Sequence, residues 1–119
     1  MYFNFPLFSS LVERAYKKAT CLYSLEDVLS VFRHYFKKHE DAFKKVHPNI
    51  RLEQIESIIK IMPYLDRGER SSAEGVIEPE DYAALIDKHF KTRYRGCDYN
   101  INHFFSGDIR LMRYYEVLY

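Results

Sequence analysis

Apolar residues recur along this chain at intervals of three and four, the period of an α-helix that buries one face. The longest such run is Leu25, Val28, Leu29, Phe32, Tyr35, Phe36, His39, Phe43 and Val46, which spans an arc of about 120° on a helical wheel. Arg33, Lys37, Lys38, Asp41, Lys44 and Lys45 occupy the opposite side, where the acid interrupts any continuous basic stripe and marks a solvated face. Ser24, followed by Glu26 and Asp27, supplies a capped start with acids at the positive end of the dipole. Pro48 predicts the stop, because it disfavours helical geometry at His47.

The flanking stretches repeat this pattern on a smaller scale. Residues 1–9 are apolar but contain Pro6 and predict an extended arm; Ser10 and Glu13 then have capping-box spacing. Leu11, Val12, Ala15, Tyr16 and Ala19 carry a first helix to about Cys21. Asn49 is the expected cap of a third helix, with Leu52, Ile55, Ile58, Ile59 and Met62 on one face and Pro63 at its end. Residues 66–76 are poor in apolar groups and predict a mobile surface loop. A fourth helix is expected from Glu78-Pro-Glu-Asp81, with Pro79 at its first position and Tyr82, Leu85, Ile86, His89 and Phe90 facing inward.

Asn100 is placed to cap a short helical segment at 101–105, and Ser106-Gly-Asp108 reads as a turn. The final helix, from about 108 to 119, is apolar over more than half its circumference, which predicts that it is buried. The expectation is an all-α fold: a compact bundle of about five helices with a long central second helix, forming one domain over residues 1–119.

Charge narrows the functional classes. The formal net charge is only +1, so no global field favours nucleic acid. The distribution is uneven: six Lys or Arg against two Asp between Lys88 and Arg113, but eight acids against three bases between Glu53 and Asp81. The two cysteines, Cys21 and Cys97, form no local motif and read as buried structural residues. No secretory signal and no run of about 20 apolar residues is present, so a cytoplasmic protein with reduced thiols and no membrane contact is expected.

Catalytic and metal patterns are incomplete. His89, Cys97 and His103 offer three ligands at loose spacing where structural zinc takes four. Cys97 with His103 and Asp98 has the residue types of a nucleophilic triad, but no flanking signature. There is no P-loop, dinucleotide fingerprint or nucleophile elbow. The expectation is therefore no enzyme, no metal, no cofactor and no small-molecule substrate.

Two kinds of partner fit the stretch from Arg93 to Glu116. Helix four, the short segment and the final helix have the order of a DNA-binding helix-turn-helix, with Arg110 and Arg113 about 60° apart on the candidate recognition helix and Asn100 and Asn102 before it. Against this, the leading segment is short, the last helix is too apolar to be free, and Arg113 can equally pair with Glu116. The second class is a protein partner. Tyr2, Phe3, Phe5 and Phe8 at one terminus and Tyr114, Tyr115 and Tyr119 at the other are either interface anchors or termini that pack on each other. The candidate binding surface is thus Arg93, Arg95, Asn100, Asn102, Arg110, Arg113 and Tyr114. The favoured expectation is a non-enzymatic adaptor or inhibitor docking on a larger protein; the alternative is a DNA-binding accessory protein using the C-terminal basic stretch.

Cys97-Asp-Tyr-Asn-Ile-Asn-His-Phe-Phe-Ser-Gly-Asp-Ile-Arg110, Ile61-Met-Pro-Tyr64 and Tyr114-Tyr-Glu-Val-Leu-Tyr119 resemble small proteins without assigned activity encoded on phages and conjugative elements of gut Firmicutes. The similarity covers most of the last sixty residues and, less clearly, the second helix. It carries over no functional residue. It implies a bacterial cytoplasm and genes concerned with replication, transfer or evasion of host defence.

Overall fold

A computed structural model of the chain describes residues 5–64, 77–105 and 109–118. Six helices run in order among them: α1 (Phe5–Lys18), α2 (Leu25–Phe43), α3 (Leu52–Ile61), α4 (Asp81–Lys91), α5 (Ile101–Phe105) and α6 (Ile109–Leu118). The fold is all-α and the described residues contain no strand. The segments 66–76 and 106–108, read as a loop and a turn, lie outside the described residues, as do Tyr2, Phe3 and Tyr119.

The longest helix, α2, forms as its pattern predicts. Ser24 Oγ accepts from Asp27 N at 3.1 Å, satisfying one free amide of the first turn. Its inner face of Val28, Val31, Phe32, Tyr35, Phe36 and His39 is buried. α1 and α4 pack against it, α1 also packs on α3, and α6 packs on α4 and α5. Tyr35 is the hub: its ring lies 5.0 Å from Phe90 of α4 and 5.3 Å from Phe104 of α5, and its hydroxyl donates to Tyr99 O at 2.9 Å.

Four boundaries differ from expectation. α1 begins at Phe5, so the capping-box pair Ser10 and Glu13 lies inside it. Extending the helix brings Phe8 onto the face of Val12 and Ala15, where its ring meets Phe32 at 5.3 Å and Phe36 at 4.9 Å. Burying one Phe contributes about 2 kcal/mol, more than a surface cap.

α2 stops at Phe43 rather than near Val46, because Lys44 turns left-handed (φ 58°) and closes the helix through its N–H on Glu40 O. That turn delivers His47 into the core. α3 is capped at Arg51, not Asn49, with Gln54 Oε1 accepting from Arg51 N at 2.9 Å. α4 begins at Asp81, two residues beyond Pro79.

Candidate functional site

α6 carries the largest departure from its sequence pattern. Its arginines point inward: Arg110 is 3% and Arg113 1% exposed. Its apolar residues Met112 and Tyr115 are 47% and 50% exposed. The buried cations take the inner face because the bundle offers them acceptors there.

Arg110 sits at the C-terminal end of α3, where the last carbonyls of a helix have no intrahelical donor. Its Nη1 donates to Ile61 O at 2.8 Å, to Tyr64 O, and to Tyr82 Oη at 3.0 Å. Tyr82 Oη in turn donates to Met62 O at 2.5 Å. A cation at this end also meets the negative pole of the helix dipole.

Arg113 joins α4, α6 and the loop between α4 and α5. Its Nε donates to His89 Nδ1 at 3.1 Å and its Nη1 to Glu116 Oε1 at 3.1 Å, while its guanidinium lies 3.5 Å from the centroid of Tyr94. Tyr94 Oη also donates to Glu116 Oε1, at 3.2 Å. Two residues of the expected binding surface are therefore structural. A recognition helix must present its base-reading side chains to a groove, and here Arg110 and Arg113 are enclosed. The segment before α6 has only five residues, Ile101–Phe105. α6 therefore does not present Arg110 and Arg113 as a recognition helix would.

The same contacts fix the proton on His89. Arginine only donates, so Nδ1 must accept, and the ring proton sits on Nε2, which faces Cys97 Sγ at 3.7 Å. Burial, with the neighbouring Arg113 charge, holds this imidazole down to about 3, so it stays neutral. An imidazole in this tautomer has no free lone pair toward the thiol and cannot take its proton. His103 Nδ1 lies 3.7 Å from Asp98 Oδ1, the carboxylate expected to orient it. No group of three or more candidate ligands suitable for a metal ion occurs among the described residues.

Residues 92–99 form a braced loop. Cys97 N donates to Tyr94 O at 3.2 Å across a turn whose third residue, Gly96, has φ +74°; a positive φ at that position suits glycine. Arg95 is thereby carried on the turn, exposed, and Arg93 is exposed just before it. Tyr99, left-handed at φ 58°, ties the loop from within: its hydroxyl accepts from Tyr94 N at 2.9 Å and donates to Thr92 O at 2.6 Å.

Asn100 and Asn102 are half-buried. Asn100 caps α5 as its position predicts, its Oδ1 accepting from Asn102 N at 2.9 Å. The remaining amide at this helix start, Ile101 N, donates to His47 Nε2 at 2.9 Å, while His47 Nδ1 donates to Pro48 O at 2.8 Å. Burial lowers His47 to about 4. Tyr114 is half-buried against the core.

Between this loop and the ends of α2 and α4 lies a cleft of about 630 Å³. Ala42, Phe43 and Phe90 line its helical side and residues 92–99 the other. Phe43, 40% exposed, packs 5.5 Å from Tyr99 and 6.4 Å from Phe90, ring centre to ring centre. Sequence reasoning found the arginines of this cleft but placed Phe43 on the core face of an uninterrupted helix. The αL residue that ends α2 early, Lys44, carries no sequence signal of the kind glycine or asparagine would.

No protein-family model, curated protein or solved structure matches this chain. Among the described residues no helix is long and apolar enough to cross a membrane.

Proposed function

We propose that this chain is a non-enzymatic helical binding protein that docks on a larger protein as an adaptor or inhibitor. The observation that carries this reading is the inversion of α6. With Arg110 and Arg113 enclosed, the chemistry left outside is Met112, Tyr115 and the loop cations Arg93 and Arg95. Met, Tyr and Arg are the residue types enriched at protein interfaces, and an exposed apolar helix face is a cost unless a partner covers it. The proton position on His89 supports the non-enzymatic part, since it keeps this histidine from serving Cys97 as a general base. The phage and conjugative-element setting implied by resemblance is a proposal of the same kind: it points to nucleic-acid machinery or host defence as the partner's class.

The test is affinity capture from a bacterial lysate treated with nuclease, with the Met112→Glu/Tyr115→Glu variant beside the parent protein. A partner retained after nuclease and lost in the variant, with an unchanged melting curve, is the expected result. Capture that disappears with nuclease would instead establish direct nucleic-acid binding and overturn the docking reading.

A further inference from the structure

The cleft at the 92–99 loop has a floor, a rim and a continuation, and each restricts what it can hold. The floor is aromatic: Phe43, Phe90 and Tyr99 form a triangle with ring centres 5.4 to 6.4 Å apart. Phe43 keeps 40% of its surface exposed there, so an apolar side chain entering the cleft would cover surface that the fold leaves wet.

The rim is cationic. Lys91, Arg93 and Arg95 are exposed, and none makes an ion pair or side-chain hydrogen bond with another described residue. The other lining charge, Asp98, is engaged by Asn100 N at 3.0 Å. The continuation is a second hollow of about 390 Å³ along the seam of α2 and α4, which shares Ala42, Phe90 and Lys91 with the cleft. Its own charges are internally matched: Asp87 faces His34 at 2.8 Å and Lys38 at 3.4 Å, and Asp41 faces Lys37 at 3.4 Å.

We infer that this cleft binds an extended acidic peptide segment of the partner protein, with one apolar side chain seated on Phe43 and its carboxylates on Arg93, Arg95 and Lys91. The inference rests on the docking reading above and adds the partner's chemistry. The unpaired cations at one end call for negative charge there. A uniform polyanion is disfavoured, because the unpaired cations are confined to one end, and along the seam Lys37 and Lys38 are already committed to Asp41 and Asp87. A peptide brings charge only where a side chain carries it, and its length suits two hollows in line. The bracing by Tyr99 holds the loop in place before binding, which lowers the ordering cost of association.

The probe is a random peptide library displayed on phage, selected on the full-length protein and counter-selected on the Arg93→Glu/Arg95→Glu variant. Both arginines are exposed, so this variant keeps the fold, which a melting curve verifies. Enriched peptides should carry Asp or Glu next to a single Phe, Leu, Tyr or Trp. As synthetic peptides they should lose about tenfold in affinity against the double reversal, and by a similar factor against Phe43→Ser. Reversal of a distant exposed cation, Lys60→Glu, should leave affinity within about twofold.

Enrichment of peptides without acids, equal enrichment on the double reversal, or displacement of the peptides by oligothymidylate would overturn the inference. The lysate capture separates the two readings. A nuclease-resistant partner that still binds the Arg93→Glu/Arg95→Glu variant leaves docking intact and removes the cleft as its site. Selected acidic peptides with no nuclease-resistant partner leave the cleft intact and remove the docking reading.

Discussion

Arg110 and Arg113 differ from Arg93 and Arg95 only in where the fold puts them. The first pair is enclosed and donates to Ile61 O, Tyr64 O, Tyr82 Oη, His89 Nδ1 and Glu116 Oε1. The second pair stands on a loop with no such partner among the described residues. The guanidinium is suited to both roles, since it presents several fixed donors and holds its charge at any working pH. The lesson is that a local excess of arginine is not evidence of a basic surface. Orphan carbonyls at the end of α3 take Arg110, and the side chains of His89 and Glu116 take Arg113.

The contrast breaks most visibly on stability. Arg113→Ala should cost roughly 2–4 kcal/mol, because it leaves a cavity where a fully buried side chain stood and the His89 Nδ1 acceptor without its donor. Arg110→Ala should cost a similar amount through the abandoned carbonyls of Ile61 and Tyr64. Reversal of either to Glu should unfold the domain. Urea denaturation of each variant provides the measurement, and a loss below about 1 kcal/mol would contradict the enclosed placement.

The histidines that share this polar interior sharpen the contrast through pH. His47 titrates at about 4 in the folded protein against an unfolded value near 6.5. Between those values the unfolded chain holds a proton that the folded chain refuses. Stability should therefore be full above about pH 6.5 and fall as the pH drops toward 4, by on the order of 3 kcal/mol from this group. His89 acts in the same direction and further down, toward about 3. Urea titrations at stepped pH should show this acid limb, and His47→Gln should remove about one proton of slope from it.

Smaller effects belong to the loop. Tyr99→Phe removes the hydroxyl that bridges Tyr94 N and Thr92 O and should cost about 1–3 kcal/mol, with faster amide exchange at Tyr94. Gly96→Ala meets no atom within 4 Å, so its cost of about 1 kcal/mol would come from the positive φ alone. Arg93→Ala and Arg95→Ala should change stability by less than about 0.5 kcal/mol. A larger loss at either would mean that the loop arginines also have structural acceptors.

The periodic runs determined which segments are helical and most of the inward residues of α3 and α4, while on α2 they omitted Val31 and wrongly included Phe43. Short-range polar signals were equally legible: the Ser24 cap and the Asn100 cap both act within two or three residues of themselves. Where a distant group had the stronger claim, sequence reasoning failed. Ser10 and Glu13 satisfied a capping rule, but Phe8 gained a place between Phe32 and Phe36 and drew the helix past them. α6 reads as a buried apolar helix, yet its inner face was decided by carbonyls at the end of α3 and by His89 on α4. His47 sits beside a proline and signals nothing locally; its role exists only because Ile101 N comes to lie 2.9 Å from its ring. Local spacing set the elements. The tertiary structure decided which polar groups they satisfy, because hydrogen-bond acceptors contributed by remote segments exist as sites only after the chain has packed.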